Sequence, residues 1–218
     1  MSITIGNKNS KSVSSPKPAD IRLEKGQCVE VRAAPRDRIV SMACELFRQH
    51  GIRGIGVDAI AEAAETNKMT LYRHFGSKDD LICETLRFKS EKAAEFWDDL
   101  EAKNPGNPMA QLQGWVQASA KCLEDNKYGC DLANAAVELK EQGHPAHAVI
   151  ENFKLTQRRR LEQLCRDAGV SEPELLSDTL SMLREGAQVS KLATGSEGPS
   201  ARFTRACEAA IASFNHPG

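Results

Sequence analysis

The segment from residue 66 to residue 78 concentrates side chains that can contact nucleic acid. It carries Lys68, Arg73 and Lys78 and no Asp or Glu, although the whole chain has a net charge of −1. Such cations, together with hydroxyl, phenol and imidazole groups, can hold phosphates or read base edges, and a methionine can contact a thymine methyl. A local basic patch on a nearly neutral chain favours a sequence-specific reader over a non-specific coat. The candidate DNA-contacting residues are Lys68, Met69, Thr70, Tyr72, Arg73, His74 and Lys78.

Two short helices joined by a tight turn are predicted to position these side chains. Residues 58–64 have a helical pattern, and a turn follows around Glu65 and Thr66. In the second helix, Leu71 and Phe75 are four residues apart, so they share the face that points at a core. The opposite face then presents polar residues outward, which is the helix-turn-helix arrangement.

Sequence motifs at fixed offsets extend from the helix before this pair to the residues after it. They comprise Ala43, Leu46, Phe47 and Gly51, the run 58–61, and the run 70–75 followed by Ser77 and Lys78. Together they resemble the DNA-binding head of the TetR (tetracycline-repressor) family of transcriptional regulators. The chain departs from the family at Glu65, where the turn between the two helices commonly has Gly.

The resemblance implies roles for individual side chains. Thr70 and Tyr72 correspond to groove or backbone contacts, and His74 and Lys78 correspond to phosphate contacts. Lys68 is assigned from charge and position alone. Arg73 is assigned in the same way, with a bidentate contact to guanine as the alternative. The resemblance also implies a dimer whose two recognition helices enter successive major grooves of a pseudo-palindrome.

Composition excludes several other classes of protein. The 218 residues are 40% hydrophobic and 27% charged, which is ordinary for a globular chain, and no apolar run approaches the length of a membrane span. The seven cysteines are odd in number and never form Cys-x-x-Cys, so we expect reduced, mostly buried thiols in a cytoplasmic protein, with a redox switch as the alternative. No catalytic constellation and no cofactor motif is apparent.

Two histidines deserve separate consideration as metal ligands. His144 and His147 are three residues apart and can share one side of a helical turn. No further Cys, His or acid follows at a matching spacing. We therefore expect a polar pair at the start of a helix and no metal site.

The chain divides into three predicted parts. Residues 1–34 are rich in Ser, Lys and Pro and are predicted to form a flexible arm, with contact to the DNA backbone as the alternative. Residues 35–80 form the helix-turn-helix head, and residues 81–218 form a helical body for effector binding and dimerisation. The fold class is therefore all-α. Gly51 is expected to end the first helix of the head. Helices of the body are expected to begin at a Ser77 cap, at Asn107-Pro108, at Asp131, at Pro145 and at a Ser171 capping box, and to include a last helix through Phe203. The helix that begins at Asp131 is expected to end at Gly143.

Aromatic and small polar residues of the body allow two interpretations. Aromatic side chains beside small or polar inward residues can line a ligand cavity, and the same side chains can simply form the core. The candidate ligand-binding residues are Phe96, Trp115, Ser119, Asn134, Phe153 and Gln157.

The last two helices are the candidate dimer interface. Small residues permit close packing of helices, and neighbouring leucines add apolar area, so two such helices and their symmetry mates can form a four-helix interface. Burial within the monomer is the alternative. The candidate interface residues are Leu180, Leu183, Gly186, Ala187, Ser190, Phe203 and Ala210.

We conclude from the sequence that the chain is a homodimeric transcriptional regulator, more consistent with a repressor than an activator. Its expected partners are a double-stranded DNA operator, a small-molecule effector and a second copy of itself. Two other classes remain open. A helical protein-interaction adaptor would use the same helices without DNA, and a catalytic or small-molecule-binding bundle would need a polar cluster that the sequence does not reveal.

Overall fold

The computed structural model describes residues 34–215. Apart from Ala34, the proposed arm of residues 1–34 lies outside them. Within residues 34–215 the chain forms α-helices and one short 3-10 helix with no strand, so the predicted all-α fold class is confirmed. The helices are α1 (Pro35–His50), α2 (Val57–Ala63), α3 (Lys68–Phe75), α4 (Lys78–Lys103), α5 (Pro108–Asp125), α6 (Asp131–Glu138), α7 (Ala146–Asp167), α8 (Pro173–Thr194) and α9 (Phe203–Phe214), with the 3-10 helix Pro199–Arg202 before α9.

Helices α1, α2 and α3 pack around one small apolar core. Ile39, Leu46, Ile60 and Leu71 are fully buried in it, and Leu81 from the start of α4 joins them. Glycine ends α1 as the sequence predicts, since Gly51 adopts a φ of 76° and its N–H donates to the carbonyl of Phe47. The head is therefore a three-helix unit whose core is completed by the next helix.

Helix α4 connects the head to the body without interruption. The hydroxyl of Ser77 accepts the N–H of Asp80, so the predicted cap is confirmed. Helix α4 has 26 residues and is about 39 Å long. Leu81 lies in the head core and Trp97 lies in the body core. Leu86 lies in a third apolar cluster, where residues of α4, α6 and α7 meet Ile52 of the head; this region is the head–body joint. Because no linker separates head from body, the domain boundary at residue 80 stays a prediction.

The body is a bundle of α5, α7, α8 and α9 packed against the second half of α4. Asn107 caps α5 through the N–H of Ala110, with Pro108 at the first helical position, as predicted. Leu112, Leu176 and Leu180 are fully buried in its core. Among residues 34–215, no helix combines the length and apolarity that a membrane span requires.

Two details of the predicted body helices are wrong. Helix α6 ends at Glu138 and not at Gly143, because the following residues turn to meet the head. The predicted capping box at Ser171 does not form, and α8 begins after Glu172 with no side-chain cap. The hydroxyl and the N–H of Ser171 both donate to the carbonyl of Phe214, which closes the end of the last helix against the start of α8.

Most of the described cysteines behave as small core residues. Burial raises the pKa of the Cys44, Cys165 and Cys207 thiols to about 12, so these groups stay protonated and unreactive near neutral pH. Cys122 departs from the prediction because it is exposed on α5. Cys28 lies outside the described residues.

Candidate DNA-binding site

The turn between α2 and α3 is tight and under backbone strain. Glu65 adopts a φ of 51°, a left-handed conformation that costs a residue with a Cβ atom about 1–2 kcal/mol. The N–H of Thr66 donates to the carbonyl of Ala61. The guanidinium of Arg38 donates to the carbonyls of Ala64, at 3.2 Å, and Glu65, at 3.4 Å. Helix α1 thus helps to hold the turn in a conformation that glycine would adopt without strain.

Helix α3 is fixed to the head by one apolar face and one cap. Leu71 is 0% exposed and Phe75 is 7% exposed, so both are anchored in the head core as predicted. The side-chain oxygen of Asn67 accepts the N–H of Thr70 at 2.9 Å and fixes the start of the helix. A short helix held at its start and along its inner face can present the remaining side chains in a defined orientation.

The outward face of α3 carries most of the predicted DNA-contacting residues. Met69 is 83% exposed and Tyr72 is 39% exposed, and Thr70 is half-buried beside them. The polar and cationic members are exposed as well. These are Lys68, Arg73 and His74. Six of the seven residues that the sequence proposed therefore lie on α3 outside the head core, distributed around the sides that Leu71 and Phe75 do not occupy.

One acidic side chain from the preceding helix enters this face. The ammonium of Lys68 lies 3.1 Å from the carboxylate of Asp58, and both groups are more than half exposed. Absence of acids within residues 66–78 therefore does not make the surface free of acids. The two residues are ten positions apart, and only the fold of α2 against α3 places them together.

Lys78 occupies a different environment from the other six residues. Its ammonium donates to the carbonyls of Ile52, at 2.7 Å, and Ile55, at 2.6 Å, and so closes the loop between α1 and α2. Partial burial lowers the pKa of Lys78, while Asp79 and Glu138 oppose that shift. One N–H of the ammonium remains for another acceptor, so a phosphate contact stays a prediction, and the loop-closing role is one that the sequence did not reveal.

Comparison with known proteins identifies the head. Residues 39–85 match the sequence profile described as bacterial regulatory proteins of the tetR family. The head of the chain is therefore similar to the DNA-binding heads of TetR-family regulators. It is 22% identical over 152 residues to the HTH-type transcriptional regulator YjdC of Escherichia coli (strain K12), covering 69% of this chain and 80% of that protein. It is 32% identical over 90 residues to the repressor KstR2 of Mycobacterium tuberculosis (strain ATCC 25618 / H37Rv), covering 41% and 44% of the two chains.

Solved structures of TetR-family proteins share the fold of head and body. A regulator from Streptomyces avermitilis is 27% identical and superposes with a TM-score of 0.67 over 82% of this chain and 98% of that one. The regulator SCO4454 from Streptomyces coelicolor is 24% identical and superposes with a TM-score of 0.77 over 84% and 96%. The named relatives are transcriptional regulators and not enzymes.

The TetR-type head of this chain joins the body through a set of matched polar contacts. The carboxylate of Glu138, at the end of α6, accepts the N–H groups of Ile52, at 2.7 Å, and Arg53, at 3.2 Å. Lys89 lies 2.9 Å from Asp131 within this joint. Burial acts to lower the pKa of Lys89, but Asp131 outweighs it and the pKa is raised. Head and body are therefore linked by contacts that depend on the position of α6.

The two histidines considered as metal ligands take part in this joint. A ring nitrogen of His147 lies 2.6 Å from the carbonyl of Leu139. One ring nitrogen of His144 accepts the N–H of Ala146 at 3.1 Å, and the other lies 3.5 Å from the carboxylate of Asp79 in the head. Within residues 34–215, no group of three or more potential ligands could hold a metal ion.

The six candidate ligand-binding residues do not share one cavity. Trp115, Phe153 and Gln157 line a cavity of about 220 Å³ in the body. Asn134 instead lines a small space at the joint, where its amide donates to the carbonyl of Tyr128. Ser119 and Phe96 line neither space. Ser119 is buried, and Phe96 is partly buried against the body core. These three residues do not line the body cavity, because positions across the bundle cannot be read from spacing along the chain, and a role for them in ligand binding stays a prediction.

Sequence reasoning missed other residues that line the body cavity. Trp97 lines it and donates its indole N–H to Gln157 at 2.8 Å. Arg184 and Gln188 of α8 also line it. Because the two residues are four positions apart, helical periodicity could have placed them on one face of α8.

The candidate dimer interface is divided between core and surface. Leu180 is 0% exposed and Phe203 is 4% exposed, and both belong to the core of their own chain. Both side chains are thus buried within the monomer, and Phe203 also borders the groove between α8 and the last helices. Their part in a dimer interface stays a prediction. The same groove is lined by Leu183, Gly186, Ala187 and Ser190. Ala210 is partly buried against the core.

The outer face of α8 adds residues that the sequence did not propose. Met182 is 65% exposed and Val189 is 67% exposed, and the two lie seven residues apart on the helix. Gly186 lies between them, and a Cβ atom added there would meet nothing within 4 Å. An apolar surface thus continues along α8 outside the core of the chain.

Proposed function

We propose that this chain is a homodimeric transcriptional regulator that binds a pseudo-palindromic DNA operator and is released from it by a small-molecule effector. The observation that carries the proposal is the arrangement of α3. Leu71 and Phe75 hold the helix in the head, while Arg73, Lys68 and His74 point outward for phosphates and base edges. Relatives named as repressors, KstR2 among them, favour repression as the direction of control.

A dimer follows from the size of the reading surface. One recognition helix contacts only a few base pairs, and two-fold pairing doubles the length of the site. The apolar face of α8 supports pairing, because Met182 and Val189 expose large side chains on either side of Gly186. Exposed apolar patches of this kind mark interaction surfaces.

An effector can control DNA binding only if it binds the DNA-binding conformation of the dimer and the released conformation with different affinities. Helix α4 contacts the head core through Leu81 and the body cavity through Trp97, so it connects the DNA-binding head with the proposed effector cavity. Glu138 accepts N–H groups of the head and Asp131 pairs with Lys89 of α4, so these polar contacts fix α6 against both the head and α4. A ligand that shifts α4 or α6 would change the spacing of the recognition helices.

Fluorescence anisotropy with labelled DNA from upstream of the protein's own gene tests the proposal. We expect tight binding to one pseudo-palindromic segment and weak binding to a scrambled duplex at the same salt concentration. The Arg73→Ala variant should lose the preference, and the matched variant Arg159→Ala, on the exposed surface of α7, should keep it. Equal affinity for every duplex would overturn the proposal and favour the protein-interaction adaptor.

A further inference from the structure

We infer that the body cavity binds a monoanionic, carboxylate-bearing ligand with an apolar body, and that Arg184 holds its carboxylate. The inference rests on the proposed function, because it gives the effector of that regulator a chemical class. It is carried by the residues that line the cavity between α4, α5, α7 and α8.

One side of the cavity is apolar and aromatic. Trp97, Trp115, Phe153 and Leu161 line it, and the cavity has a volume of about 220 Å³. The indole N–H of Trp97 is already satisfied by Gln157 at 2.8 Å, so this wall offers aromatic faces and not free donors. An aliphatic or aromatic ligand body of small size fits such a wall.

The residues of α8 that line the cavity are polar. Asp178, Ser181, Arg184 and Gln188 lie at helical spacing along the helix. Gln188 is only 8% exposed, and its amide has no hydrogen-bond partner within residues 34–215. No Gln188 atom is among the fully buried atoms without a partner, so the amide is open to hydrogen bonds with water or a ligand in the cavity.

The charges of the cavity cancel except at one residue. Arg158 forms a two-point contact with Asp178 at 2.6 and 2.9 Å, and Lys154 pairs with Glu185. These two pairs neutralise four charges.

Arg184 is the exception among the charged residues of the cavity. Its Nε atom is buried without a hydrogen-bond partner, and its guanidinium has no ion pair within the described part of the chain. The two terminal nitrogens are not among the fully buried atoms, so they can donate to an acceptor that enters the cavity.

Carboxylate is the group that best satisfies this arrangement. Its two oxygens match the fork of a guanidinium, and such charge-assisted pairs are among the strongest hydrogen bonds in proteins. One uncompensated cation balances one negative charge, which favours a monoanion over a doubly charged phosphate. The free amide of Gln188, one helical turn from Arg184, can donate to the same carboxylate.

Tryptophan fluorescence offers a direct test. The chain has two tryptophans, Trp97 and Trp115, and both line the cavity. We would titrate the full-length protein with 3-phenylpropionate, cyclohexylacetate and octanoate, each beside its primary amide of the same shape. We expect at least one acid to change the emission with an affinity at least about tenfold higher than that of its amide, since a hydrogen-bonded charge contributes more than a neutral group.

Two variants assign the preference to one residue. Arg184→Met should abolish the difference between acid and amide, and Arg184→Lys should keep part of it, because the charge remains while the fork is lost. The matched control Arg159→Met lies outside the cavity and should behave like the parent protein. Circular dichroism and thermal melting of each variant establish that it is folded.

The outcomes separate this inference from the proposed function. If no acid binds, or if each amide binds as tightly as its acid, the inference is overturned even when the protein binds its operator. If the acids bind through Arg184 but the protein ignores all DNA, the cavity assignment stands and the regulator is overturned.

Discussion

Helices α3 and α8 both expose large side chains, but the two faces have opposite chemistry. On α3 the exposed groups are mainly cations and polar rings, with Met69 as the apolar member, and on α8 they include Met182 and Val189. A cationic face attracts a phosphate backbone over a distance set by salt, whereas an apolar face gains free energy only when a partner excludes water from it. The difference supports the two separate partners that we propose, DNA for the face of α3 and a second chain for the face of α8.

The largest effect is expected from a charge placed on the apolar face. Gly186→Arg has room in the monomer, because a Cβ atom at this position meets nothing within 4 Å, but it puts a cation in the centre of the proposed interface. We expect a folded monomer by analytical ultracentrifugation and a loss of operator affinity of more than about 100-fold, since two linked heads bind far more tightly than one. Gln117→Arg, an exposed position of α5, is the control and should remain dimeric.

A smaller effect is expected at the reading face of α3. Thr70→Ala should cost about 1–3 kcal/mol of binding free energy at the specific site if the hydroxyl touches a base, with no loss on random duplex. Anisotropy titrations on both duplexes measure it, with Thr156→Ala on the exposed side of α7 as the control. Equal losses on both duplexes would show that Thr70 contacts only the backbone.

Substitution of Lys78 tests whether its ammonium has a structural role alone or also contacts DNA. Because its ammonium donates to two carbonyls, Lys78→Met should lower the free energy of unfolding by about 1–3 kcal/mol. Urea unfolding measures this loss, and Lys103→Met, at the exposed end of α4, should show none. If Lys78 also contacts a phosphate, the variant's salt dependence of DNA binding should become shallower by about one unit. An unchanged salt dependence would leave Lys78 with the structural role alone.

The smallest effect is expected from the acid that enters the cationic face. Asp58→Asn removes the ion pair of Lys68, and an exposed pair contributes only about 0–1 kcal/mol to stability. Removing one negative charge should strengthen binding to specific and random DNA by a similar few-fold factor at low salt. Asp98→Asn, on the exposed surface of α4, is the control. Weaker binding would mean that the pair positions Lys68 for its contact.

Local signals in the sequence predicted the helices and their ends well. The Ser77 and Asn107 caps and the Gly51 stop are confirmed because each depends on residues within one turn of it. The capping box at Ser171 failed although its local pattern was correct, because the hydroxyl binds the carbonyl of Phe214 from a distant helix. A local pattern thus holds only when no tertiary partner competes for the same group.

For the candidate sites, the sequence determined which residues α3 presents together, since Leu71 and Phe75 fix its inner face by periodicity. Tertiary structure alone decided that Lys78 closes a loop and that Leu180 lies in the core. It also brought Arg184 of α8 into one cavity with the tryptophans of α4 and α5. The physical reason is that helical periodicity specifies which side chains share a face, but the packing of helices specifies what that face meets.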